Sequence, residues 1–225
     1  LPISTLLTVC IIAAVVFAAI SINSTEEQVT DVYYDKLYTV STNLINADRD
    51  FYQSMIAATQ YHEISEGFIQ TDDATKASML SDYFENRQQA LDNVEAAITA
   101  AKADAHLYSG IKSEDGSTIE SAHTDFVKDF EEWEALYDVE HDTGDWNAFN
   151  VEFLATRAAL SDMSDIAEAW ALEEHAALAR QNTVKILVSS IIFAAIIVAL
   201  FIFTMVTLNG ITGGLSKATN ALNEV

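Results

Sequence analysis

Apolar and polar positions divide the chain into three kinds of segment. Residues 3–22 (ISTLLTVCIIAAVVFAAISI) carry no charge, and neither do residues 186–208 (ILVSSIIFAAIIVALFIFTMVTL). About 20 residues at ~1.5 Å rise cover the ~30 Å hydrocarbon layer, so each run predicts a membrane-spanning helix. A secretory signal peptide is the competing reading of the first run; we read both as spans. Between them, residues 23–185 repeat apolar positions at helical spacing, and no stretch shows the strict alternation of a strand. Turn-forming residues cluster at Thr71-Asp72-Asp73, from Ser109-Gly110 to Asp115-Gly116-Ser117, and at Asp142-Thr143-Gly144-Asp145. They predict four helices over about 23–70, 74–108, 117–142 and 145–185.

Each predicted helix has an apolar seam. The first is led by Leu37, Val40, Leu44, Ala47, Phe51 and Ala58, then Tyr61 and Phe68. The second runs through Leu80, Phe84, Arg87, Leu91, Val94 and Ile98 to Tyr108. Ile119, Phe126, Phe130, Trp133 and Tyr137 form the third, and Phe153, Leu160, Met163, Ala167, Trp170 and Val184 the fourth. At ~1.5 Å per residue the helices climb about 70 Å, descend about 50, climb about 40 and descend about 60, which returns the chain to the membrane. The expected fold is all-α: two transmembrane helices (1–22 and 186–208) flanking an antiparallel up-down-up-down four-helix bundle over 23–185.

Charge narrows the function. The 225 residues contain 34 Asp and Glu against 11 Lys and Arg, a formal net charge of −23. The acids begin at Glu26, and no charge of either sign lies between Lys185 and Lys217, so the excess belongs to residues 26–185. Such a surface repels phosphate backbones and anionic lipid, which disfavours a nucleic-acid partner. Cys10 is the only cysteine and sits in an apolar run, so no intrachain disulfide or Cys-based metal site is expected. Phosphate-binding, nucleophile-elbow and HExxH motifs are lacking; we expect neither an enzyme nor a cofactor.

Two stretches carry a family resemblance. Leu44–Gln53 (LINADRDFYQ) is similar to the NADRDxYQ pattern in the first sensor helix of many bacterial methyl-accepting chemotaxis receptors. Ile211-Thr212-Gly213-Gly214-Leu215, continuing to Ala221-Leu222, resembles the opening of a HAMP linker, with Gly214 where that family usually has proline. Glycine is a flexible residue where proline is a stiff helix starter, which alters the joint. The resemblance implies a receptor of the bacterial inner membrane, with residues 23–185 periplasmic and 209–225 cytoplasmic. It further implies a homodimer, an extracellular small-molecule signal (an amino acid, organic acid or amine) and output through a cytoplasmic kinase and adaptor reached by sequence beyond this fragment. Gly210, Gly213 and Gly214 would then form the joint that transmits or absorbs motion. The sensor module of a histidine kinase or cyclase, or a structural dimerisation stalk docking a periplasmic protein, are the alternatives.

Candidate ligand contacts follow from the scarcity of arginine, which occurs only at 49, 87, 157 and 180. Arg49 shares an outer stripe with Tyr38, Ile45, Tyr52 and Ile56, a second apolar face that suits a dimer partner. Arg87 lies in the predicted seam of the second helix and Arg157 beside that of the fourth. By helix rise, Arg49, Arg87 and Arg157 stand roughly 39, 49 and 42 Å above the membrane, close enough in height to clamp a carboxylate together. Asp48 and Tyr52 complete the candidate set. Pairing of each arginine with a neighbouring acid is the competing reading. His62 with Glu66, and His141 between Glu140 and Asp142, have metal-capable spacing, but three convergent ligands are lacking and no metal is expected. The acidic run from Asp129 to Glu140 reads as a solvated helix face.

Overall fold

The computed structural model describes residues 2–223. Leu1, Glu224 and Val225, the outermost residues of the expected first span and linker, lie outside the described residues. Helix α1 (Pro2–Val29) passes into a π-helical segment (Thr30–Tyr38) and then α2 (Thr39–Ser65). After a loop come α3 (Asp73–Lys102), a short π-helical turn (His106–Gly110), α4 (Ile119–Leu136), the strands β1 (Tyr137–Asp138) and β2 (Thr143–Gly144), and α5 (Trp146–Asn223). The class is all-α. The two-residue strands correct the expectation that no strand occurs: they form one antiparallel rung that closes the α4–α5 turn, pairing Tyr137 with Gly144 and Asp138 with Thr143.

The chain divides into two compact units, one of Val29–His175 and one joining α1 up to Gln28 with α5 from Ala176. In the first unit, helix starts are fixed by side-chain caps at the anticipated turns. The Asp72 carboxylate accepts the Thr75 amide at 2.7 Å, and Thr118 and Ser121 exchange hydrogen bonds across the first turn of α4. Asp145 accepts the Ala148 amide at 2.9 Å. Gly144 has φ +130°, and a Cβ there would stand 2.4 Å from the Leu136 carbonyl oxygen, so the turn admits no side chain.

The core of this unit is aromatic. Trp133 of α4 stacks on Phe149 of α5 at 4.6 Å and meets Phe51 of α2 edge-on at 4.8 Å. Phe51 also touches Phe153 at 4.7 Å, and Tyr83 of α3 approaches Trp133 at 6.3 Å. Four helical segments thus share one set of rings, each contact adding about 0.5–1.5 kcal/mol beyond area burial. Among the described residues the Trp133 and Trp170 indole N–H groups have no acceptor.

The α2 and α4 seams hold at most positions. Phe68 is the exception on the first, being 78% exposed in the loop after α2. On α3 the seam is rotated: Tyr83, Ala90, Val94, Ala97, Ile98 and Ala101 are buried, whereas Phe84 is exposed and Arg87 sits at the margin. On α5 the buried line begins at Phe149 and includes Ile166, while Val184 is exposed.

The π-helical segment has a visible consequence. In an α-helix residues five apart point about 140° away from each other, whereas i→i+5 hydrogen bonding brings them nearly into line. Here Lys36 donates to Asp31, five residues earlier, at 2.8 Å, and to Asp104 at 3.0 Å. Burial alone would lower the Lys36 pKa, but bonding to the two carboxylates outweighs it and holds the ammonium above its ordinary value. Asp104 is held below its ordinary value: burial opposes this, but Lys36 and the Leu107 and His106 amides outweigh it.

The second unit is built differently. Its contacts run antiparallel, with Thr25 donating to Asn182 at 3.3 Å and Lys185 to the Ser24 and Thr25 hydroxyls at 3.4 and 3.3 Å. Farther along, Cys10, Ala14 and Ala18 face Phe193, Ile196 and Leu200 across an apolar groove. Among the described residues two helices are long and apolar enough to cross a membrane, and their most apolar stretches are not buried.

Candidate functional site

Asp48 and Arg157, 109 residues apart, are brought face to face by α2 and α5. Arg157 Nε donates to Asp48 Oδ1 at 2.6 Å and Nη2 to Oδ2 at 2.7 Å, the two-pronged pairing that a planar guanidinium offers a carboxylate. The guanidinium lies 5.2 Å from the Tyr52 ring centre and 5.8 Å from that of Phe153. Bonding to Asp48 raises the Arg157 pKa, opposed by burial. Both charged side chains are about one-third exposed, so solvent screens them and the pair contributes about 0.2–1 kcal/mol to stability. Beside the pair opens a groove of about 410 Å³, floored by Leu44 and Leu160 and edged by Ser161 and Ser164. Those serines follow Arg157 by four and seven residues, which puts all three on one face of α5.

Three of the five expected contacts, Asp48, Tyr52 and Arg157, therefore meet. The other two do not join them. Arg49 turns to its neighbour Asp50, with Nη2 at 2.7 Å, and its guanidinium is 58% exposed. Asp50 itself is buried, and its second oxygen accepts from Asn93 of α3 at 2.9 Å. Arg87 pairs with Glu134 of α4 and lies over the Phe84 ring at 5.6 Å. Burial raises the Glu134 pKa against the pull of Arg87. The three-arginine clamp is thus not formed: each guanidinium closes on its own carboxylate. Equal height along the helices said nothing about direction around them. Phe153, Ser161 and Ser164 were missed, although the hydroxyl spacing from Arg157 was readable.

Gly210, Gly213 and Gly214 all lie within α5, which continues helical past them, and a Cβ at any of the three would meet open space. The two histidines with metal-capable spacing, His62 and His141, serve local contacts. His62 Nδ1 lies 2.8 Å from Asp142 Oδ1 and 2.9 Å from Tyr137 Oη, with its ring stacked on Trp146 at 4.3 Å. Burial, then the Asp142 carboxylate, push the Tyr137 hydroxyl well above its ordinary pKa. His141 meets Asp138 at 2.8 Å. One carboxylate oxygen each from Asp129, Glu132 and Glu152 come within 4.8 Å of one another, and Lys128 reaches Asp129 and Glu132 at 3.2 Å.

No protein-family model, characterised protein or solved structure matches the chain. Function is therefore argued from these residues and their geometry.

Proposed function

We propose that the chain is the sensor and transmission region of a transmembrane chemoreceptor that detects an extracellular small molecule. In this reading α2, α3, α4 and the first part of α5 are an up-down-up-down four-helix bundle on the periplasmic side of a bacterial inner membrane. The uncharged stretches of α1 and α5 cross the lipid. The observation that carries the reading is the Asp48–Arg157 pair under Tyr52 beside an open groove. A side-by-side anion and cation, partly hydrated and worth little to folding, is a site where a carboxylate can take Arg157 or an ammonium can take Asp48.

The outer stripe of α2 supports a homodimer: Ile45, Tyr52 and Ile56 are 66%, 49% and 42% exposed, a row of large apolar side chains turned to solvent. Occupation of the groove would bias α2 against α5 by the 1–2 Å typical of helix shifts at interfaces, provided the two states bind the signal unequally. Output passes along α5 through Gly210, Gly213 and Gly214 to a cytoplasmic kinase and adaptor.

The test is a thermal-shift panel of amino acids, organic acids and amines on the full chain in nanodiscs. At least one compound should raise the melting temperature; Arg157→Ala should abolish the shift given by an acid, and Asp48→Asn the shift given by an amine. Silence across the panel favours a dimerisation stalk, and a shift unchanged in both variants removes this groove as the site.

A further inference from the structure

A second groove, of about 470 Å³, lies between the π-helical segment with the start of α2 and the stretch of α5 from Ser164 to Ala171. Tyr33, Leu37 and Tyr38 form one wall, Ser41 and Thr42 continue it, and Glu168 stands on the opposite side. Among the described residues Glu168 has no hydrogen bond or ion pair, and it is exposed. No basic residue lines this groove; Lys36, on the same segment, is committed to Asp31 and Asp104. This is the reverse of the Asp48–Arg157 groove, where the carboxylate already has its cation.

We infer that this groove binds an organic cation, a primary ammonium carried on an aromatic or aliphatic body, with Glu168 taking the ammonium and Tyr33, Leu37 and Tyr38 the body. Charge complementarity selects the occupant. The groove's one carboxylate lacks a cation, its tyrosine rings offer negative π-faces, and the excess of acids around it raises the local concentration of cations. An anion meets only repulsion there. The hydroxyls of Ser41, Thr42 and Ser164 accept further N–H bonds.

The winding of the backbone builds this wall. Tyr33 and Tyr38 are five residues apart, as are Asp31 and Lys36, and the wide π turn narrows the angle between the members of each pair from the ~140° of an α-helix. The Asp31–Lys36 bond at 2.8 Å and the tyrosine wall are thus two results of one backbone feature. The two grooves adjoin, with Ile45 and Ser164 in the lining of both, but their carboxylates differ: Asp48 in one and Glu168 in the other.

The experiment is isothermal titration of the full chain in nanodiscs with benzylamine, using benzyl alcohol and benzoate as neutral and anionic matches. Benzylamine is expected to bind and the other two not. Glu168→Gln should weaken it by about tenfold or more, the loss of a charge-assisted bond. Tyr38→Ala should weaken it by about threefold, the scale of an exposed cation–π contact. Both side chains are exposed, so the fold survives either change. The proposal is overturned if benzylamine does not bind, if benzyl alcohol binds equally, or if Glu168→Gln has no effect. Loss in Asp48→Asn with retention in Glu168→Gln would move the amine to the other groove and equally overturn it.

Discussion

The two units of this chain are opposites in where they keep their apolar side chains. In the Val29–His175 unit, Phe51, Trp133, Phe149 and Trp170 are completely buried, and of the acids described there Asp50 alone is buried with them. In the unit of α1 and the C-terminal part of α5, Val15, Ile20, Ile191, Ile197 and Phe201 are each at least 60% exposed and no charge lies among them. Water cannot be the solvent of both surfaces. The first is organised for water, and the second has the length and composition for hydrocarbon.

Deleting the ring at the centre of the first unit is the largest way to break the contrast. Trp133→Ala should cost about 3–5 kcal/mol by chemical denaturation of that unit, because the indole touches rings from α2, α4 and α5. Next comes a charge placed on each unit at equal exposure. Ile197 and Val151 are 64% and 68% exposed. Arginine at 197, midway along the apolar run, should cost about 2.5–3.5 kcal/mol in a membrane-insertion assay. Arginine at 151 should stay within about 0.5 kcal/mol by denaturation. Equal, small effects at both would erase the distinction. Gly144→Ala should destabilise the first unit by about 1–3 kcal/mol, since φ +130° and the Leu136 carbonyl both oppose a side chain.

The smallest effect is a pH dependence. Asp104 is lowered in the fold, so its contribution is present above the ordinary value of 3.8 and is lost as pH falls through the lower folded value. Lys36 is raised, so its contribution is present below the ordinary value of 10.5 and is lost as pH rises through the higher folded value. The denaturation midpoint of Asp104→Asn should therefore show a shallower acid decline than the parent, with the difference confined to the region below about pH 4.

What was legible in the sequence follows from side-chain size. Phe126, Phe130 and Trp133 announce the inner face of α4 by their spacing, as Leu44, Ala47 and Phe51 do for α2. The α3 face was misread because alanine carries much of it: Ala90, Ala97 and Ala101 give a weak hydrophobic signal, so Phe84, Arg87 and Leu91 dominated the pattern. That one-position rotation turned Arg87 from an expected core residue into a partner of Glu134 at the margin. The caps at Asp72 and Asp145 were readable because capping is local chemistry. The π winding was not, since apolar spacing is compatible with either turn width, and with it went the tyrosine wall opposite Glu168. Asp48 and Arg157 were both candidates, but their meeting depends on how α2 and α5 face each other, which no local pattern encodes.

The most direct test of the account is sided cysteine labelling in a Cys10→Ser background, with Glu26→Cys and Lys217→Cys variants in sealed, oriented vesicles. A membrane-impermeant maleimide should reach one of the two positions from outside and the other only after permeabilisation. Labelling of both from the same side of an intact membrane would contradict a sensor joined across the lipid to its output.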